Sequence, residues 1–223
     1  MDRLIFISFL SPNKLYGRFP ILESLAVNDL QFLTMVWNIF LALLPFGVYF
    51  LLKKYWRATG LVKFWQKISA VFLFIFWLFF SPNIAYITTD IRHLLNFCPV
   101  DSPFQVCPAN AWMIIFFFTY SVIGWVLFYY NLKFMSGLIK EIFRKFWSDI
   151  FVIAMIPLTA VGVLLGLINR VNSWDIFLHP AVLWQIVWSN FSSFDFFIDW
   201  YIFTVFLYLL YFAGDAIFRE IKE

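Results

Sequence analysis

Long apolar stretches alternate with short polar ones along most of the chain. Five of the apolar stretches hold about 20 residues, the number that an α-helix needs to cross the hydrocarbon core of a bilayer. They cover residues 31–52, 68–90, 111–132, 150–169 and 196–214. A sixth stretch, residues 176–191, is shorter and is interrupted by polar side chains and by Pro180. We interpret it as an interfacial or re-entrant helix, with a sixth span as the alternative.

This pattern predicts an all-α fold, a polytopic transmembrane helical bundle of five or six spans. The bundle should occupy residues 31–223, after an extramembrane or interfacial segment of residues 1–30. The second span contains Ser81-Pro82-Asn83. Because proline removes an amide donor, the last third of that helix should kink or unwind. Backbone groups freed in hydrocarbon need protein or water as partners, so the broken section should face the bundle interior.

The composition agrees with a membrane protein. Hydrophobic residues make up 63% of the chain and charged residues 13%. In soluble domains, roughly half of the residues are apolar and roughly a quarter are charged. The lipid bilayer is therefore the first expected partner, and the length of 223 residues indicates one domain. The net charge is only +3 and the cations lie in short segments between spans, so no nucleic-acid partner is expected.

Lys and Arg are distributed unevenly between the two sides of the predicted bundle. Residues 53–67, residues 133–147 and the C-terminal tail carry eleven of the 16, and five lie on the other side. Because cytoplasmic segments retain Lys and Arg, the N-terminus should lie outside and the C-terminus in the cytoplasm. Cys98 and Cys107 then share an outer loop, where an oxidising exterior favours a disulfide. Two free thiols are the alternative.

Polar and charged side chains gather at the predicted outer ends of the spans. Asp90 and His93 follow the proline break, and Asp175 and His179 lie between the fourth and fifth spans. Each pair could share a helix face, bind a metal ion or transfer protons. Haem ligation by the two histidines is a further alternative. The plainest interpretation is structural, with ion pairs and helix caps where lipid gives way to water.

Arginine beside polar side chains suggests a different chemistry, the binding of an anionic group such as phosphate. Arg170 is followed closely by Asn172, Ser173 and Trp174. An arginine beside apolar bundle walls needs a carboxylate or an anionic ligand to offset its desolvation. We therefore expect Arg170 and Asp90 in one outer-face cluster, with Asp90 or Asp175 as the ionic partner.

Three segments resemble one known family. They read WNIFLALLP at 37–45, SPNIAYITTD at 81–90 and RVNSWD at 170–175. Together they resemble a bacterial membrane-protein family, domain of unknown function 1361, from about residue 30 to the last span. Ser81 stands where the family usually has leucine, and Ile84-Ala85 stand where it usually has alanine-proline, which implies a gentler kink than in relatives.

The resemblance implies a multi-pass protein of a bacterial-type cell or inner membrane, and it brings no reaction or cofactor. It does single out residues, because the family's motif positions coincide with most of the polar cluster. These positions are Asn38, Asn83, Tyr86, Thr89, Asp90, His93, Arg170, Asn172, Ser173, Trp174 and Asp175. All but Asn38 are candidate ligand-binding residues, and the candidate metal ligands are Asp90, His93, Asp175 and His179.

The leading functional hypothesis is an outward-facing polar pocket, lined by the broken second helix and by residues 170–175, that binds an anionic or lipid-linked ligand. The main alternative is an accessory subunit with protein partners in a larger membrane complex, whose polar motifs only lock helix ends. A membrane-embedded metal-dependent or acid–base enzyme is the third possibility, and the sequence leaves open whether the protein catalyses a reaction.

Overall fold

The computed structural model describes residues 26–27, 30–97 and 112–220, and the side chains of residues 33–93 and 112–218. Cys98 and Cys107, and with them the predicted disulfide, lie outside the described residues. The elements in chain order are β1 (Ala26–Val27), β2 (Leu30–Gln31), α1 (Phe32–Thr59), α2 (Phe64–Phe80), α3 (Pro82–Ile87), a 3-10 segment (Thr88–Phe97), α4 (Trp112–Ile142), α5 (Lys145–Asn169), α6 (Asp175–Leu178), α7 (Pro180–Phe191) and α8 (Phe194–Glu220). β1 and β2, which have two residues each, pair in antiparallel orientation.

Five helical segments of the described chain are long and apolar enough to cross a membrane. They are α1, the continuous run from α2 into the 3-10 segment, α4, α5 and α8. The predicted all-α, multi-pass bundle is thus confirmed. α7 has 12 residues, about 18 Å of helix, whereas the hydrocarbon core is about 30 Å thick. This length agrees with an interfacial or re-entrant helix rather than a sixth span.

The spans alternate in direction, which gives the bundle two distinct ends. At one end α2 runs into α3 and the 3-10 segment, α5 runs into α6 and α7, and α1, α4 and α8 begin. We name it the motif end, because all three sequence motifs lie there. At the opposite end α1 and α4 finish and α2 and α5 begin, next to most of the Lys and Arg residues. We name that the basic end.

Large side chains fill the centre of the bundle. Trp77, Phe128, Leu132 and Ile156 are fully buried, whereas many apolar side chains on the outside of the spans are exposed. A polar network also crosses the core: the Trp77 indole donates to Asn131 Oδ1 at 2.9 Å, and Asn131 Nδ2 donates to Ser81 Oγ at 3.2 Å. Buried polar groups need such partners, so this network ties α4 to the end of α2.

The second span is broken between α2 and α3, as the sequence predicts, but gently. Ser81 keeps helical dihedral angles, and its amide still donates to Trp77 O at 3.0 Å. The amide of Ile84 donates to Ser81 O at 3.1 Å, a tighter turn that leaves Phe80 O to another donor. Asn83 Nδ2 supplies it at 3.0 Å. The chain therefore changes from α to 3-10 geometry without unwinding.

Glycines allow α5 to lie unusually close to α3. A Cβ atom on Gly162 would lie 2.5 Å from Pro82 Cγ, and one on Gly166 would lie 3.3 Å from the Tyr86 ring. Their four-residue spacing places both on one helix face, the small-xxx-small arrangement of membrane helices. α5 thus packs on the broken section through its smallest residues, and the break is held inside the bundle.

Candidate functional site

The three sequence motifs meet at the motif end. Asn38 on α1 donates from Nδ2 to Asp90 Oδ2 in the 3-10 segment at 3.4 Å. Asn83 on α3 donates from Nδ2 to Ser173 Oγ at 2.8 Å. These two contacts connect positions 52 and 90 residues apart in sequence. The motifs are therefore parts of one local structure.

Residues 170–175 form a tight connection that crosses over the end of the bundle. Arg170 ends α5 in the left-handed conformation, with φ 55° and ψ 31°, and the Val171 amide donates back to Leu165 O at 3.3 Å. Asp175 Oδ2 accepts from the Asn172 amide at 2.7 Å, and the Asp175 amide donates to Asn172 O at 3.0 Å. Asp175 therefore has a structural use, as the group that closes this turn.

The connection also packs onto the first span through aromatic rings. The Trp174 ring lies with its centroid 6.3 Å from that of Trp37 on α1, in an edge-to-face arrangement. Phe177 on α6 contacts Phe76 and Phe79 of α2 at centroid distances of 6.4 and 6.0 Å. These contacts hold the 170–178 region over α1 and α2 and close a space beneath it.

That space is a cavity of about 730 Å³ between α1 and α5. Both helices pack on α3, which forms its back wall, and α7 borders it on another side. Its volume is in the range of small-molecule sites, about 300–1,000 Å³. Six of the ten predicted ligand-binding residues line it: Asn83, Tyr86, Arg170, Asn172, Ser173 and Trp174.

The cavity is polar at the motif end and apolar in depth. The polar lining residues and Arg170 sit near the ends of their helices, whereas Leu158, Val161 and Leu165 continue the lining down α5. Leu158 lies eleven residues before the end of that helix, which corresponds to about 17 Å of depth. Leu158 is itself 51% exposed, so the cavity also opens sideways onto the surface that lipid would contact.

Four predicted site residues do not line this cavity. Thr89 Oγ1 donates to Tyr86 O at 2.7 Å, which is a local backbone bond, and Asp175 closes the turn described above. Asp90 is 1% exposed, and its Oδ1 lies 3.8 Å from His93 Nε2. The His93 ring in turn stacks on Phe117 at 6.2 Å. The buried Asp90 and the partly buried His93 thus form a second layer behind the cavity wall.

Two wall residues connect this layer to the cavity. Asn38 lines the cavity and donates to Asp90, so the buried carboxylate orients the amide. Tyr86 lines it too, and its hydroxyl accepts from Arg92 Nη2 at 2.8 Å. Asp90 and Arg92 therefore contact residues of the cavity wall without lining the cavity themselves.

The predicted ion pair of Arg170 with Asp90 or Asp175 is wrong. Arg170 is exposed, and within the described part of the chain no carboxylate lies within 4.0 Å of its guanidinium. The buried Asp90 faces Asn38 and His93 instead. The physical reason is that Arg170 lies at a helix end open to solvent or ligand, where desolvation does not force it to pair.

The candidate metal ligands are only partly brought together. Asp90 and His93 are neighbours, whereas His179 is exposed at the start of α7, where its amide donates to Asp175 O at 2.7 Å. Among the residues with described positions, no three His, Cys, Asp or Glu side chains are grouped closely enough to hold a metal ion. The described geometry thus gives a metal centre no support.

Several cavity residues were not expected from the sequence. Trp37 could have been found, because it directly precedes Asn38 in the first motif. Trp184 and Leu183 on α7 carry no such signal, since only the fold brings α7 beside the cavity. The apolar residues of α5 that line the depth look like any other lipid-facing residues in the sequence.

Comparison with known proteins identifies a family but no activity. The model of a family described as "Protein of unknown function (DUF1361)" matches residues 37–211. No curated protein and no solved structure matches the chain. The matched region contains all three motifs and every residue that lines the cavity except Thr34.

Proposed function

The chain belongs to the DUF1361 family, and we propose from the cavity that the protein binds a lipid or lipid-linked molecule with an anionic head group. The observation that carries this proposal is the division of one cavity into a polar mouth and an apolar depth. Such a division matches a ligand with a polar head and a hydrocarbon chain, because each part would meet surface of its own kind.

The charge at the mouth favours an anionic head group. Arg170 is the one charged residue among the described residues that line the cavity. Its planar guanidinium suits bidentate hydrogen bonds to phosphate or carboxylate oxygens. Asn172 and Ser173 supply further polar atoms beside it. A cationic head group would find no carboxylate in this lining.

We propose further that the motif end faces outward, in a bacterial-type cell or inner membrane. The Lys and Arg residues of the chain concentrate at the basic end, which cytoplasmic segments prefer. The sideways opening at Leu158 would then admit a ligand from the outer leaflet without exposing its chain to water.

Filling the apolar depth tests the proposal. Val161→Trp places a bulky side chain in the cavity lining, whereas Ile153→Trp adds the same side chain to an exposed position on the same helix. We expect native mass spectrometry of protein purified in mild detergent to find a bound lipid in the parent and in Ile153→Trp. The lipid should be largely lost from Val161→Trp.

Two other results would contradict the binding function. If Val161→Trp folds normally and retains the same lipid as the parent, that lipid does not occupy the cavity. If the parent carries no lipid and binds none of a series of anionic lipids, the cavity has another use.

An accessory-subunit role is the second candidate, and the surface of α7 favours it. α7 contributes no buried residue, and Trp184 and Trp188 are 67% and 69% exposed. A partner protein could cover them. Copurification of a stoichiometric partner that is lost on Trp188→Ser would favour this role, whereas a lone protein with bound lipid favours the cavity.

An acid–base enzyme is the third candidate, resting on the Asp90–His93 pair. Because this pair lies behind Asn38 and not in the cavity lining, it would need a rearrangement to reach a ligand. Chemical turnover of a lipid found in the cavity, lost in His93→Gln without loss of lipid binding, would support this candidate over binding alone.

A further inference from the structure

A three-residue sequence recurs at the basic end. Lys63-Phe64-Trp65 spans the N-cap and first two residues of α2, and Lys145-Phe146-Trp147 begins α5. The two helices touch through side chains in the core, since Phe151 of α5 contacts Phe74 and Trp77 of α2 at centroid distances of 6.1 and 5.7 Å. Because both helices begin at the basic end, the two triplets lie at the same end of the bundle. We name them the Lys-Phe-Trp surface.

The aromatic side chains of this surface are directed away from the core. Phe64 and Trp65 are 71% and 75% exposed, and Phe146 and Trp147 are 66% and 55% exposed. Burial in the bundle therefore does not explain them. Exposed indole rings next to the end of a spanning helix are suited to the region between hydrocarbon and water, because one part of the ring is apolar and its N–H is polar.

The charge around this surface is predominantly positive. Lys63, Lys67, Arg144 and Lys145 are exposed, and none of them forms an ion pair with a described residue. The acidic groups nearby are few.

Two of these acids are already used: Glu141 pairs with Arg57 at 3.7 Å, and Asp215 pairs with Lys133. Asp149 is the remaining described acid near the start of α5, four residues after Lys145. One described carboxylate against four exposed cations without an ion pair leaves this part of the basic end positively charged.

We propose that the Lys-Phe-Trp surface binds anionic phospholipids, with Lys63 and Lys145 contacting head-group phosphates and the neighbouring Trp rings inserting at the interface. The proposal commits to a lipid because the surface combines positive charge with exposed rings at a helix end, and a soluble anion would leave those rings in water. It is independent of the cavity, which lies at the other end of the bundle.

Charge removal at matched positions tests this assignment. The double variant Lys63→Gln/Lys145→Gln removes one cation from each triplet, and the control Lys54→Gln/Lys140→Gln removes two other exposed cations of the basic end. Each purified protein is reconstituted in nanodiscs of phosphatidylcholine containing a minority of phosphatidylglycerol. The phosphatidylglycerol retained after gentle extraction is measured by native mass spectrometry.

We expect the parent and the control to retain phosphatidylglycerol selectively. The triplet variant should bind it about 25-fold more weakly, since each cation near a charged membrane surface contributes about fivefold. Equal losses in both double variants would show that net charge alone attracts the lipid, and would overturn the assignment. Unchanged binding in the triplet variant would overturn it as well.

Two more variants separate this surface from the cavity and from folding. Trp65→Leu/Trp147→Leu keeps an apolar side chain at each position and removes the indole rings, and it should weaken phosphatidylglycerol retention while leaving the melting temperature unchanged. Val161→Trp should remove only lipid held in the cavity and leave the remaining phosphatidylglycerol retention as it is in the parent. If Val161→Trp alone abolishes it, the lipid occupies the cavity and the surface proposal is wrong.

Discussion

Asn83 does two things at the break in the second span. Its amide nitrogen donates to Phe80 O, which the tightened turn leaves without a backbone donor, and it donates to Ser173 Oγ across the cavity mouth. One side chain thereby completes the backbone hydrogen bonding of the break and anchors the 170–175 connection. The consequence is that the break and the cavity depend on the same residue.

Replacing Asn83 should therefore lower stability more than its size suggests. Asn83→Leu leaves Phe80 O and Ser173 Oγ without this donor, and an unsatisfied buried polar group costs about 1–3 kcal/mol. Thermal unfolding in detergent should show a clear decrease in Tm. The exposed Asn172 is the matched control, because Asn172→Leu removes no side-chain hydrogen bond that the structure shows. Equal Tm values for the two variants would contradict this account.

Replacing Arg170 with glycine should change the stability of the protein and its lipid binding in opposite directions. It occupies the left-handed region, where a residue with a Cβ atom is strained by about 1 kcal/mol and glycine is not. Arg170→Gly should therefore raise the stability of the protein slightly. It also removes the cation of the cavity mouth and should weaken binding of a short-chain phosphatidic acid by about 5- to 30-fold, the effect of about 1–2 kcal/mol.

The control for this experiment is Arg170→Lys. Lysine keeps the charge and the backbone strain but loses the bidentate geometry. We expect it to bind the lipid with an affinity between those of the parent and the glycine variant. Affinity that is the same in all three proteins would remove Arg170 from the binding site.

At the scale of single residues, the sequence predicts which residues lie near one another better than it predicts which side chains form an ion pair. The motifs do converge, and Asn83, Arg170 and Ser173 share one cavity. The wrong partner for Asp90 has a geometric cause. From Thr88 onward each residue turns by about 120° and not 100°, so by Asp90 the side-chain direction has changed by about 40° relative to a continuous α-helix. Nothing in the sequence marks the start of the 3-10 segment.

At the scale of elements, the contact of α5 with α3 gives a specific prediction, because Gly162 is the described glycine at which an added Cβ atom would come nearest to another side chain. Gly162→Ala would place a Cβ atom 2.5 Å from Pro82 Cγ, which forces the two helices apart at a cost of about 1–3 kcal/mol. Gly137 in α4 has no neighbouring atom within 4 Å of such a Cβ. Gly137→Ala should be neutral or stabilising by about 0.5–1 kcal/mol, because alanine favours helix.

The Tm values of both variants, measured in the same detergent, provide the test. A second substitution, Pro82→Ala, should recover part of the stability lost in Gly162→Ala, since it removes the ring that the new methyl group meets. A Gly162→Ala variant as stable as the parent would mean that α5 does not press on α3 as described.

Element boundaries follow from the sequence where hydrophobic length decides them. The five spans are correct because about 20 apolar residues leave few alternatives to a membrane helix. The break is correct because Pro82 has no amide hydrogen to donate. The form of the break depends on hydrogen bonds of Ser81 and Asn83 to residues of other elements. The sequence does not show which residues these are. For the same reason, the position of α7 beside the cavity is not readable from its composition.

For the whole molecule, the cavity is a property of packing and not of any segment. It exists because α1 and α5 both lie on α3 and leave a space between them that the 170–175 connection covers. Each of its walls looks ordinary in the sequence, and only the polar mouth is marked by motifs. This explains why the sequence locates the mouth of the candidate site but not its apolar depth, which is the part that suggests a lipid chain.

The orientation of the whole bundle decides which leaflet the cavity serves. α8 runs from the motif end to the basic end, so the C-terminal side of the chain and the Lys- and Arg-rich turns should lie on one side of the membrane. A reporter fused after Glu223 should therefore read cytoplasmic, and one inserted near Asp101 should read external, because cytoplasmic segments retain Lys and Arg. An insertion after Gly60, in the turn between α1 and α2, should agree with the fusion after Glu223.

If all three reporters are reversed, the five-span bundle remains correct but the cavity opens to the cytoplasmic leaflet. If the Glu223 fusion disagrees with the Gly60 insertion, the number of spans is even and the region of α7 crosses the membrane despite its length.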